Sequence, residues 1–218
     1  MEISTSILSV NKEKATKTFY NIEVAKTDYF HIDVMDGKFV ENDTTEFMIE
    51  STQTINHISN VPLDIHLMVN NPDTFIEFFL PFHPSFITLH YESFKSKQEL
   101  CNLIKIIKEN GVKAGIAIKP KTCVNEIKDL LPIVNMVLVM TVEPGKGGQS
   151  IILDTIKKVR ELHEYRNKED FSYYIEVDGG INLDTINLAK DAGADIAVVG
   201  TALVKANDMK KTMSKLKG

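Results

Sequence analysis

The sequence predicts an α/β fold of the (β/α)8 TIM-barrel class, and three observations carry that expectation. Eight short runs rich in β-branched residues alternate with longer helical patterns over 218 residues, the number of βα units and the length that one compact barrel needs. Several of these runs carry His, Asp or Glu on one face only, as strands do when their inner face performs chemistry. The turn after the first run, SILSVNKE, holds no glycine, whereas a doubly wound open sheet would usually place a Gly-rich turn there.

Taken in order, the strand candidates are EISTSIL, YFHIDVM, PLDIHLM, FITLHYE, VKAGIAIK, NMVLVMTV, YYIEVDG and DIAVVG, each followed by an amphipathic or capped segment. Pro72 opens NPDTFIEFFL after the third, and Asn182 caps NLDTINLAKDAGA after the seventh. The chain ends in KANDMKKTMSKLKG, where Met209, Met213 and Leu216 fall at helical spacing. A final helix with its lysines in solvent accounts for that pattern better than a basic binding tail. With no internal repeat, low-complexity stretch or linker, residues 1–218 read as a single barrel domain.

Composition narrows the function classes. Hydrophobic residues make up 43% and charged residues 25%, as in ordinary globular proteins rather than disordered chains. The net charge of −5 argues against a nucleic-acid partner, because phosphate backbones are held by clustered Lys and Arg. No apolar run approaches the ~20 residues of a membrane span and no secretory pattern precedes the first strand, so a cytoplasmic protein without a membrane partner is expected. Cys101 and Cys123 lack metal-type spacing, form no disulfide framework, and read as packing residues in helical stretches.

The polar faces of the strands carry the chemistry. In YFHIDVM, His31, Asp33 and Met35 share one face while Ile32 and Val34 share the other; in PLDIHLM, Asp64, His66 and Met68 do the same; in YYIEVDGG, Glu176 and Asp178 do. His31, Asp33, His66 and Asp178 are all expected toward the C-terminal side of the barrel, where barrel active sites lie. Burying them together without a partner would cost roughly several kcal/mol each. One divalent metal ion removes that cost, and two imidazoles with two carboxylates suit Zn²⁺, Fe²⁺, Mn²⁺ or Co²⁺ better than Ca²⁺.

The remaining inward residues read less specifically. Glu176 is expected to pair with a buried lysine such as Lys113 or Lys119. His90 and Glu92, on one face of the fourth strand, fit a supporting hydrogen bond behind a ligand as well as a substrate contact. Met35, Met68 and Met140 fill a core or line a pocket. Three glycine-rich turns follow neighbouring strands, in VEPGKGGQS, DGGIN and VGTA; together they point to a phosphorylated substrate held by the backbones of Gly147, Gly148, Gly179, Gly180, Gly200 and Thr201. GKGGQS lacks the spacing of a nucleotide-binding P-loop.

In combination SILS, HIDVMDGKFV, LDIHLMV, ITLHYE, AIKPKT, VMTVEPGKGGQ, IEVDGGIN and VVGTA resemble the ribulose-phosphate 3-epimerase family over nearly the whole chain. The resemblance implies a barrel of the ribulose-phosphate-binding type, a sugar-phosphate substrate, and interconversion of D-ribulose 5-phosphate and D-xylulose 5-phosphate in the pentose phosphate pathway. It implies one divalent metal on His31, Asp33, His66 and Asp178, with Asp33 and Asp178 as the acid/base pair. It also implies substrate contacts from Ser6, His66, Met35, Met68 and Met140, and a homo-oligomer. Three departures from the family pattern touch loops over the substrate: DGKFVEN where DGHFVPN is usual, PGKGGQ where PGFGGQ is usual, and Thr201 for the common serine. Lys146, at the second of these, is a candidate to reach over the phosphate. The rival expectations are an epimerase of another ketose phosphate such as D-allulose 6-phosphate, a barrel that binds a sugar phosphate without turning it over, and a decarboxylase.

Overall fold

The computed structural model describes residues 1–218. Its eight strands are β1 (Glu2–Ser6), β2 (Tyr29–Met35), β3 (Leu63–Met68), β4 (Phe86–His90), β5 (Lys113–Ile118), β6 (Met136–Met140), β7 (Tyr174–Asp178) and β8 (Ile196–Val198). Each pairs in parallel with the next, and β8 returns to β1 to close the barrel. Alternation along the strands divides the buried residues into two sets. Those pointing outward, such as Ile32, Val34, Ile65, Leu67, Val137 and Val139, join the main hydrophobic core between sheet and helices. Those pointing inward stack in layers, beginning with a floor in which Phe86 meets Tyr29 and Tyr174 edge-on at 5.7 and 5.6 Å. The polar inner residues lie above that floor.

The helices are α1 (Ala15–Val24), α2 (Thr45–Ile58), α3 (Pro72–Phe79), α4 (Lys97–Glu109), α5 (Ile156–Glu169), α6 (Ile186–Ala192), α7 (Thr201–Val204) and α8 (Met209–Lys217). Pro72 occupies the first turn of α3, where its missing N–H costs nothing. In α8 Met213 and Leu216 are buried, as their spacing predicts.

Three local expectations are corrected. The segment after β5 forms no α-helix but a chain of short turns, including a 3₁₀ turn at Val124–Glu126. Its buried residues Val124, Ile127 and Leu130 recur every three positions and its amides bond three residues back, as from Ile127 to Val124 and Leu130 to Ile127. Cys123 at the head of that turn is therefore exposed and packs nothing, while Cys101 in α4 does pack against the core. Asn182 does not cap α6: its Oδ1 accepts from the amide of Asp184 in a local turn, and the helix starts four residues later at Ile186.

Candidate active site

Parallel pairing of β2 with β3 sets His31 beside Asp64, Asp33 beside His66 and Met35 beside Met68, so two short motifs become one inner surface. Asp178, at the end of β7, reaches the same place from across the barrel. His31 Nε2 lies 3.3 Å from Asp33 Oδ1 and 3.9 Å from Asp178 Oδ2; His66 Nδ1 lies 3.2 and 3.7 Å from the same two atoms. One donor atom from each of the four residues falls within 4.8 Å of every other.

Hydrogen bonds behind this cluster orient it. His31 Nδ1 donates to Asp64 Oδ2 at 2.6 Å, and Ser4 Oγ donates to the same oxygen at 2.7 Å. His31 Nε2 is consequently aimed at the carboxylates, buried, with no hydrogen-bond partner. Ser6 Oγ donates to Asp33 Oδ2 at 2.7 Å, which turns Oδ1 toward the imidazoles. On the other side His66 Nε2 meets His90 Nε2 at 2.9 Å, and His90 Nδ1 meets Glu92 Oε2 at 3.1 Å.

The charges of the cluster follow from burial and from these neighbours. Burial works against a charged imidazole, yet the carboxylates of Asp64 and Asp33 pull His31 well above the ordinary histidine range. Asp33 is the converse: burial pushes it up, but His31 and His66 hold it below the usual carboxylate range. Asp178 faces the same two histidines from farther away, and burial and the nearby Asp33 outweigh them and push it up to about 6. A buried imidazole nitrogen with no hydrogen-bond partner, two carboxylates with opposite preferences and a pull toward positive charge at one point together fit a divalent cation of the N/O-binding type.

Above the cluster opens a cavity of about 270 Å³ lined by Ser6, Asp33, Asp178 and the three methionines Met35, Met68 and Met140. The methionines are thus both buried and lining, which resolves the two readings their positions allow. Gly147, Gly148, Gly179, Gly180, Gly200, Thr201 and Lys146 line the same cavity from the β6–β8 side. Glycine is obligatory at two of these positions. At Gly179 (φ +119°) a Cβ would lie 2.3 Å from Val142 Cγ2, and at Gly180 (φ +70°) 2.4 Å from the amide nitrogen of Ile151.

The Glu176 expectation fails. Lys113 sits over the floor rings of Phe86 and Tyr174, and Lys119 sits over Phe39, so neither reaches the carboxyl. Glu176 instead stays fully buried with neither oxygen paired, and burial together with the adjacent Asp64 raises its pKa well above the ordinary value. His90 and Glu92 hold a supporting place behind His66. Residues that pattern alone leaves without a role are Asp64, Ser4 and Ser9. Asp64 carries a readable signal, its alternation with His66 in PLDIHLM, but its partner His31 emerges only from strand register. Ser9 bonds Thr201 side chain to side chain at 2.7 Å across the barrel's closure.

Fold and rim together define a (β/α)8-barrel enzyme whose polar site lies at the C-terminal ends of the strands. The model of the "Ribulose-phosphate 3 epimerase family" matches residues 2–204, and the chain belongs to that family of isomerases. It is 37% identical to the ribulose-phosphate 3-epimerase of Bacillus subtilis, covering 100% of this chain and 99% of that protein. It is 34% identical to the chloroplastic ribulose-5-phosphate-3-epimerase of Arabidopsis thaliana, covering 99% and 75%. A 3-hexulose-6-phosphate synthase structure shares the fold, with a TM-score of 0.74 over 100% of this chain and 98% of that one at 12% identity. No helix is long and apolar enough to cross a membrane.

Proposed function

We propose that the protein interconverts D-ribulose 5-phosphate and D-xylulose 5-phosphate, with Asp33 and Asp178 exchanging the C3 proton on opposite faces of the substrate. The carrying observation is the pair of carboxyl groups, facing one cavity from β2 and β7, with opposite protonation preferences. These strands lie three places apart around the ring, which supports an approach of the two carboxyls to a bound chain from different sides.

Inverting a carbon next to a ketone removes a proton from one face and returns one to the other through an enediolate. Asp33, held as the carboxylate by His31 and His66, accepts the proton. Asp178, whose carboxyl holds a proton up to about pH 6, donates one from across the cavity; in the reverse direction the roles exchange. His31 Nε2, His66 Nδ1, Asp33 Oδ1 and Asp178 Oδ2 would hold one divalent cation (Zn²⁺, Fe²⁺, Mn²⁺ or Co²⁺), which would stabilise the negative charge that develops on the substrate oxygens. Ser6 fixes the rotamer of Asp33, and the buried sulfurs of Met35, Met68 and Met140 keep water from the reacting face. The glycine backbones around Gly147, Gly148, Gly179, Gly180, Gly200 and Thr201 receive the phosphate and orient the substrate at a distance from C3. Lys146, at the tip of that loop, adds a charge toward the same anion.

The test is deuterium incorporation at C3 in D₂O, followed by NMR with and without a chelator. Chelator-sensitive exchange, fastest with D-ribulose 5-phosphate, is expected. Faster exchange with D-allulose 6-phosphate would keep the chemistry and replace the substrate. No exchange with either in metal-loaded protein would leave a sugar-phosphate-binding barrel.

A further inference from the structure

We infer that Glu92 and His90 form a hydrogen-bonded relay, anchored from outside the barrel by Lys158, that positions His66 and fixes which of its ring nitrogens faces the active-site cluster. The inference rests on the proposal that the cluster holds a cation. None of the three residues touches the cavity, so each acts through another group.

The geometry runs inward from the rim. Lys158 of α5 directs its ammonium at three backbone carbonyls of one short stretch, those of Lys119 (2.9 Å), Pro120 (2.7 Å) and Thr122 (2.6 Å). These belong to the connection after β5, the one unit without an α-helix, which this clamp holds in place. The clamped loop grips Glu92: Oε1 accepts from the amide of Lys119 at 2.7 Å and from the hydroxyl of Thr122. Oε2 is left for His90 Nδ1 at 3.1 Å. The ring of His90, fully buried, lies only 28° from coplanar with His66, with centroids 5.0 Å apart and the two Nε2 atoms 2.9 Å apart. That combination places the rings edge to edge, the arrangement of an N–H···N bond. Phe39 packs on His90 at 4.8 Å, and the ammonium of Lys119 lies over Phe39 at 3.9 Å.

With a cation taking the place of any proton between His66 Nδ1 and Asp33 Oδ1, which lie 3.2 Å apart, hydrogen-bond accounting gives one proton order. Glu92 already takes two donors on Oε1, so its Oε2 faces His90 as an acceptor and His90 Nδ1 carries the proton. A neutral His90 therefore presents a bare Nε2, which accepts from Nε2–H of His66. His66 Nδ1 is left as a lone pair for a cation held between it and the oxygens Asp33 Oδ1 and Asp178 Oδ2. A carboxylate at the barrel rim thus selects the tautomer of an interior ligand, as Asp64 does directly for His31.

Two measurements on the full chain decide the matter. Ring ¹⁵N NMR of the histidines should find His90 protonated at Nδ1 and His66 at Nε2; the opposite tautomers would overturn the relay. The second measurement is Co²⁺ affinity by chelator competition, read together with the visible Co²⁺ spectrum. His90→Phe keeps a ring against Phe39 but breaks the relay, and should lose about 10–100-fold in affinity and shift the spectrum. His90→Gln keeps an acceptor toward His66 and a donor toward Glu92 and should stay close to the parent protein. Equal losses in both variants, or undiminished affinity in His90→Phe, would reduce His90 to packing. Lys158→Met, at the outer end, should weaken Co²⁺ by a smaller factor in the same direction, and no change would detach Lys158 from the relay. A parent protein that takes up no Co²⁺ would overturn the cation reading instead, with the tautomers still deciding the relay.

Discussion

The two halves of the barrel rim handle charge in opposite ways. From β2 to β4 the inner surface is built of side chains: His31, Asp33, His66 and His90, each locked by a hydrogen bond to a further side chain such as Asp64, Ser6 or Glu92. From β6 to β8, beyond Met140 and Asp178 at the strand ends, the rim is rich in bare backbone, with Gly147, Gly148, Gly179, Gly180 and Gly200 standing where side chains would otherwise be. The first half concentrates donors with fixed direction on one point. The second leaves a glycine-rich surface of the kind that suits a larger anion. The difference teaches that the cluster, Asp178 included, fails when a functional group is removed, whereas the glycine turns fail when an atom is added.

The largest break should come from the acid/base pair. Asp33→Asn or Asp178→Asn removes a proton acceptor while keeping shape, and should lower kcat by about 10²–10⁴ with an unchanged circular dichroism spectrum. Substantial turnover in either variant would exclude the two-aspartate scheme. In the opposite half Gly180→Ala adds one carbon against the backbone of Ile151 at a positive φ. The strain should cost on the order of 1–3 kcal/mol and raise KM for a phosphorylated substrate, visible in a thermal melt and in initial rates. A lowered melt with an unchanged KM would mean that this side merely frames the cavity.

Removing the direct support of His31 sharpens the comparison. Asp64→Asn should weaken divalent-cation affinity by about 10–100-fold with little effect on KM, as measured by competition with a chromophoric chelator. Proton competition provides a further test of the same half. Asp178, at about 6, is protonated below that pH, and His31, pulled above its ordinary range, holds a proton that must also leave for a cation to bind. Affinity should therefore rise with pH and fall at least about tenfold per unit as pH drops below 6, as calorimetric Co²⁺ titration would record. A flat profile would mean that these groups do not bind it. Lys146→Ala should have the smallest effect, raising KM severalfold at most with kcat unchanged, since the lysine lies at an exposed loop tip.

Much of this was legible from residue order alone because the pattern repeats with the strand period. His31, Asp33, His66 and Asp178 stand on polar faces of apolar strands, and all four meet in one cluster. The glycine turns point to the rim, and all of them line the cavity. The failures share a cause. Glu176 looks like a carboxylate in need of a lysine, but which groups surround an inward residue depends on the layer it occupies. The segment after β5 has helix-length apolar content, but its three-residue spacing and the clamp from Lys158 keep it in short turns.

By itself the sequence determined the barrel, the order of its units and the candidate cluster, because alternation and spacing are local and each strand carries its own inner and outer face. Only the tertiary structure decided the partnerships: Asp64 with His31, Glu92 with His90 and His66, Ser9 with Thr201, and Glu176 with no partner. Those are set by register between neighbouring strands and by closure of β8 on β1, and a shift of one residue would turn each inner group to the outer face. Hydrogen-bond direction and charge depend on such neighbours within a few ångströms, which a linear pattern does not contain.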